Sequence, residues 1–153
     1  MKIEIIEASI QDTEIIADFQ IKMAWETESY HLNKETVLKG VDAIFKNKDL
    51  GQYYIAQIEG KAVASLLITY EWSDWRNSRI NWIQSVYVES SFRRKGVFSK
   101  FYNYIKAQAI QNKQIGGIRL YVDKTNIPAQ KTYTNMGMNG NHYQLFEWMK
   151  ESN

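Results

Sequence analysis

The spacing of hydrophobic and polar positions changes several times along the chain, and each change marks an element. Ile3 and Ile5 alternate with charged residues, which predicts an opening strand. Ser9, with Asp12 three residues later, has the spacing of a helix N-terminus. Ile15, Phe19 and Met23 then recur every four residues and predict a first helix to about Glu26. After Asn33, the residues Val37, Leu38, Val41, Ile44 and Phe45 form one apolar stripe, a second helix ending near Asp49 to Gly51. From Tyr53 the pattern turns β-branched and aromatic. Tyr53 to Ile58 and Ala62 to Tyr70 flank Glu59-Gly60 and predict a hairpin. Glu71 to Arg79 has no period and reads as a tryptophan-rich connection, before a third strand from Ile80 to Val88. Arg93-Arg94-Lys95-Gly96 then opens a helix that buries Phe98, Phe101, Tyr102, Ile105 and Ala109, with Gly116-Gly117 as its terminator. Ile118 to Val122 predicts a short strand. Asn126 and Pro128 start a helix that Gly137 closes, and Tyr143 to Met149 predicts a last strand. This order predicts a mixed α/β fold, one mostly antiparallel sheet with helices on both faces, in a single domain over residues 1–153.

Composition narrows the partners. A chain of 153 residues that is 44% hydrophobic and 24% charged suits one globular core. A net charge of +2 lacks the basic footprint of a nucleic-acid or membrane-surface protein and points to small molecules, with a homodimer left open. The absence of cysteine excludes disulfides, thiolate metal sites and a cysteine nucleophile. Together with an N-terminus that alternates charged and apolar residues, it reads as cytoplasmic. The two histidines, His31 and His142, stand at no carboxylate spacing that suggests a metal site or a hydrolase triad. His31 remains a candidate base at neutral pH.

The chemistry is concentrated where Val86-Tyr87-Val88 feeds Arg93-Arg94-Lys95-Gly96-Val97-Phe98-Ser99. A basic, glycine-containing turn between a strand and a helix offers converging backbone N–H groups, the positive end of a helix dipole and full charges, which suits a pyrophosphate. Read alone, it is equally a solvated charge run before a helix. The strand-Arg-x-x-Gly-helix pattern resembles the acyl-CoA-binding motif of the GNAT superfamily of N-acyltransferases, with Phe98 in place of the usual second glycine. A second block is similar to the same family: Leu120-Tyr121-Val122 followed by Asn126, Ala129, Tyr133 and Gly137.

The resemblance implies a GNAT-like fold and acetyl transfer from acetyl-CoA to a primary amine, with no metal. It implies that the strand Val86 to Val88 is splayed to meet the pantetheine arm, that Asn126 and the Ala129 turn bind that arm, and that Tyr133 protonates the departing thiolate. Aminolysis of a thioester also needs a base or water chain, because an alkylamine of pKa ~10.4 is mostly protonated at neutral pH. It needs a donor for the oxyanion as well, which the resemblance gives to a backbone N–H near Val88. No acid lies between Ile80 and Val88, where relatives often carry a glutamate. Glu26 and Glu71 are the candidate catalytic carboxylates. Glu26, Glu28, Trp72, Asp74 and Gln84 are candidate acceptor contacts, since aromatic faces beside carboxylates suit a cation. A distant similarity to polyamine and diamine acetyltransferases suggests a small cationic amine. A peptide or protein amine, or a non-catalytic acyl-CoA sensor, is the alternative.

Overall fold

The computed structural model describes residues 1–151. Their contacts group into two compact units, Met1–Leu120 and a second beginning at Tyr121. In the first unit, β1 (Ile3–Glu7) leads through a single 3-10 turn to α1 (Thr13–Glu28) and α2 (Lys34–Lys46). Then come β2 (Gln52–Ile58), β3 (Lys61–Ser73), β4 (Ser78–Val88), α3 (Val97–Gln111) and β5 (Ile115–Arg119). The five strands form one sheet in chain order, antiparallel from β1 to β4, with β5 parallel to β4.

The helices lie on both faces, and β2 shows why. Tyr53 and Tyr54 are consecutive, so their side chains point to opposite sides of the sheet. Tyr53, Ile55 and Leu67 pack with Ile16 and Ala17 of α1 and Val41 of α2. Tyr54 faces α3: its hydroxyl donates to Gln108 Oε1 at 3.2 Å, and its ring meets Tyr104 edge-on at 5.6 Å. Phe19 and Phe101, both fully buried, anchor α1 and α3.

Several elements depart from the sequence pattern. Asp12 reaches back to the Ser9 N–H, but this pair caps the 3-10 turn, and α1 begins only at Thr13 and continues past Glu26 to Glu28. The helix α2 stops at Lys46. The segment read as an aperiodic connection is the far end of a long hairpin, with Glu71 opposite Ile80 and Ser73 opposite Ser78. Gly116 and Gly117 do not end α3. They lie inside β5, which therefore starts at Ile115 rather than Ile118 and leaves Tyr121 and Val122 outside. A Cβ on Gly116 would run into Ser78 Oγ, so the glycine is there for close strand approach.

In the second unit, α4 spans Ile127–Asn135. No strand forms over Tyr143 to Met149; Tyr143, Phe146 and Trp148 are 72%, 87% and 86% exposed. Alternation states which face a strand would bury, and a strand also needs a ladder partner, which this segment does not take up.

Candidate functional site

The C-terminal end of β4 is irregular in two ways. Pairing with β3 skips between Gln84↔Leu67 and Tyr87↔Ser65, and Ser85 within that skip has φ +55. This is a bulge carried by a non-glycine residue in the left-handed region, a conformation that local packing must hold. Gln20 of α1, 8% exposed, holds it by donating from Nε2 to the Ser85 carbonyl at 3.3 Å. On the other edge, β5 pairs with β4 only from Arg79 to Trp82 and ends at Arg119, while β4 runs on to Val88. The strand carrying Val86, Tyr87 and Val88 is thus bulged on one side and released by β5 on the other. Gln20 is a site-supporting residue that periodicity alone hides, although a glutamine four residues after Ile16 on the buried stripe is the signal that could have found it.

The turn beyond β4 has the backbone of an anion cradle. Arg94 has φ +62, Gly96 has φ +82, and Gly96 is the N-cap of α3. No side chain caps this helix, so its positive end and first-turn N–H groups face the turn uncapped. Space around Gly96 is open, so its requirement is the positive φ and not clearance. Arg94, Lys95 and Ser99 are exposed, and Val97 is buried beneath them. Phe98 stacks on Tyr102 at 6.4 Å.

Arg93 behaves differently from its neighbours. Its Nε donates to the Val88 carbonyl at 2.8 Å, and its Nη2 reaches Glu26 Oε1 at 3.0 Å. The Tyr87 hydroxyl donates to Glu26 Oε2 at 2.6 Å. Arg93, counted from sequence among the cations of the turn, is therefore turned back to fasten β4 to the end of α1. The Tyr87 bond lowers the Glu26 carboxyl below its usual range; burial opposes it, and Arg93 adds a further lowering. Burial and the Glu26 bond push the Tyr87 hydroxyl up to about 12. A carboxylate held ionised in this way attracts a cation and is a weak base near neutral pH.

Glu71 sits in a second cluster on the same sheet face. Trp82 Nε1 donates to it at 2.7 Å and Arg119 Nη1 at 2.9 Å, and these bonds, Trp82 first, lower its carboxyl. Gln84 accepts from Thr69 Oγ1 at 3.0 Å nearby. From Trp82 to Tyr87 the strand advances about 15 Å, so Glu71 and Glu26 are in separate places. Trp72 and Asp74 are farther still, at the tip of the β3–β4 hairpin, the opposite end of β4 from the basic turn. Glu26 and Glu28 thus lie at the end of α1, and Glu71 and Asp74 on the β3–β4 hairpin, in two separate places. Glu28 is exposed at the end of α1, and close by Trp25 stacks on His31 with ring centroids 4.3 Å apart.

In the second unit, Asn126 is the N-cap of α4, its Oδ1 accepting the Ala129 N–H at 3.2 Å. One face of the carboxamide expected to meet a ligand is thus spent on the helix. Tyr133 lies on α4, half-buried, and burial raises its hydroxyl above the ordinary phenol range. Among the described residues, no group of His, Asp and Glu is arranged to hold a metal ion, and no helix is long and apolar enough to cross a membrane.

Residues 12–138 match the profile of the Acetyltransferase (GNAT) family. The chain belongs to that family. Its structure is similar to that of a possible acetyltransferase from Clostridium difficile 630, at 41% identity over 99% of this chain and 100% of the other, with a TM-score of 0.91. The GNAT fold recurs at lower identity in a glucosamine-6-phosphate N-acetyltransferase from Arabidopsis thaliana (18% identity, 98% and 100% covered, TM-score 0.74). It recurs again in an aminoglycoside N-acetyltransferase solved in complex with CoA (16%, 97% and 95% covered, TM-score 0.78). None of the curated proteins compared with it matches. The GNAT domain makes this chain an N-acetyltransferase, in a family that uses acetyl-CoA as acyl donor.

Proposed function

We propose that this acetyltransferase acts on a small cationic primary amine, with the Arg93 to Ser99 turn holding the CoA pyrophosphate and Tyr133 serving as proton donor. The observation that carries the reading is the backbone between β4 and α3, where the left-handed Arg94 and Gly96 precede an uncapped helix N-terminus. That arrangement aims N–H groups at an anion without needing a particular side chain. Arg94 and Lys95 supply the charge, and Arg93 secures the strand behind them.

In the reaction the amine lone pair attacks the thioester carbonyl, forming the C–N bond. A backbone N–H near Val88 receives the oxyanion, and collapse breaks the C–S bond. The amine proton leaves through water, because hydrogen bonds lower the carboxyls of Glu26 and Glu71 and make both weaker bases. The thiolate takes its proton from Tyr133, whose raised pKa keeps the hydroxyl protonated at neutral pH. The exposed Glu28 and the Trp25–His31 stack at the end of α1 suit an acceptor bearing positive charge, with Glu26 contributing field more than proton transfer. We take the protein to act in the cytoplasm, as one functional domain over its whole length.

The test is CoA affinity in turn variants. Arg94→Ala should weaken acetyl-CoA binding about tenfold with the fold intact, and Gly96→Val more, because a β-branched residue resists φ +82. Unchanged affinity in both variants overturns the pyrophosphate assignment.

A further inference from the structure

The α3 face of the sheet carries a cavity of about 320 Å³ at the end of the unit remote from the basic turn. Its walls include Tyr54, Tyr70, Arg79, Asn81, Gln111 and Ile115. The basic turn is at the N-terminus of α3, whereas Gln111 is its last residue, so the fifteen residues of the helix separate the two by about 20 Å. Arg79 is likewise at the start of β4, and the bulge and Val88 at its end. A ligand here would not share the acyl-donor site.

Arg79 is preorganised and incompletely used. Its guanidinium lies over the Tyr70 ring at 4.3 Å, and its Nε donates to Oδ1 of Asn81, which is 4% exposed, at 3.2 Å. These two contacts fix the plane of the fork, and no carboxylate among the described residues is bonded to its Nη atoms. A fixed fork with both ends available suits a planar carboxylate. The opposite wall has the other sign. It is the C-terminal end of α3, whose last turn contains no basic residue to offset the negative end of the helix dipole. Ile115, Ile68 and the Tyr54 ring supply apolar wall between the two poles.

We propose that this cavity is a second small-molecule site, one that takes a free α-amino acid with its carboxylate on Arg79 and its ammonium toward the C-terminal end of α3. The volume is at the small end for ligand pockets and suits a ligand of that size. A simple anion would meet the helix end unfavourably, and a simple cation would meet Arg79. A zwitterion satisfies both.

The experiment titrates the wild-type protein, without acetyl-CoA, with each of the twenty common L-amino acids at millimolar concentration, read by thermal shift and calorimetry. At least one should bind and raise the melting temperature, and its methyl ester and its decarboxylated amine should each bind at least ~10-fold more weakly, the loss expected for a charged hydrogen bond. Arg79→Gln should weaken the amino acid by ~10-fold or more and leave acetyl-CoA affinity unchanged. Gln111→Trp, at an exposed helix position on the cavity wall, leaves Arg79 in the sequence while crowding the cavity, and should abolish binding even if Arg79→Gln folds poorly. No binding by any amino acid, or binding that survives Gln111→Trp, overturns the proposal. The second result would mark an acceptor held in the acetyl-transfer site. Thiol release plays no part in the readout, so failure here is distinct from failure of the amine-acetylation reading.

Discussion

Glu26 is exposed at the end of α1 and still fixes two residues of β4 and its turn, Tyr87 and Arg93. Its folded pKa is lowered, so the stability it adds is present above the ordinary carboxylate value and is lost as pH falls through the depressed one. Glu26→Gln should therefore lower the melting temperature at pH 6 to 8, and the gap to wild type should close below about pH 4. With its side chain 36% exposed, the effect should stay within ~1 kcal/mol. A gap independent of pH would mean that packing, and not charge, is lost. Tyr133 has a different signature. Tyr133→Phe removes only the hydroxyl, so CoA affinity and the melting temperature should hold while kcat falls ~10²-fold to 10⁴-fold. Wild-type kcat together with a lowered melting temperature in Tyr133→Ala would make it a packing residue, with the thiolate protonated by water.

Elements whose period was set by burial were legible in the sequence: the α2 stripe, the Glu59-Gly60 hairpin and the start of α3 all fall where the pattern puts them. Elements set by a neighbour were not. Glu71 to Arg79 shows no period because the hairpin there has one face on a polar cluster of Glu71, Trp82 and Arg119 and the other on Tyr70 and Arg79. Gly116 reads as a helix terminator until Ser78 is placed against it. The bulge at Ser85 leaves no trace in alternation, since its left-handed residue is a serine held by a glutamine from another element. Gly116→Ala should accordingly destabilise the fold by ~1–3 kcal/mol, the range for overpacking, as measured by urea unfolding. A change within ~0.5 kcal/mol would show that Ser78 moves aside freely.

At the scale of the molecule, the turn, the bulged strand and the clasp on Glu26 belong to the first unit, and Asn126 and Tyr133 to the second. Asn126 and Tyr133 take their proposed roles from the resemblance of their spacing to the family's second block. What spacing could not supply was the partners of Glu26 and Glu71, which lower both carboxyls and lie as far as 67 residues away. Acetyl transfer to a small cationic amine is measured by free-thiol release from acetyl-CoA across polyamines, aminoglycosides, amino acids and peptides. Turnover should appear with small cationic amines, with a higher KM for them but not for acetyl-CoA when Glu26 and Glu28 are neutralised together, and should be lost in Tyr133→Phe. Tight acetyl-CoA binding with no thiol released for any amine would contradict such transfer.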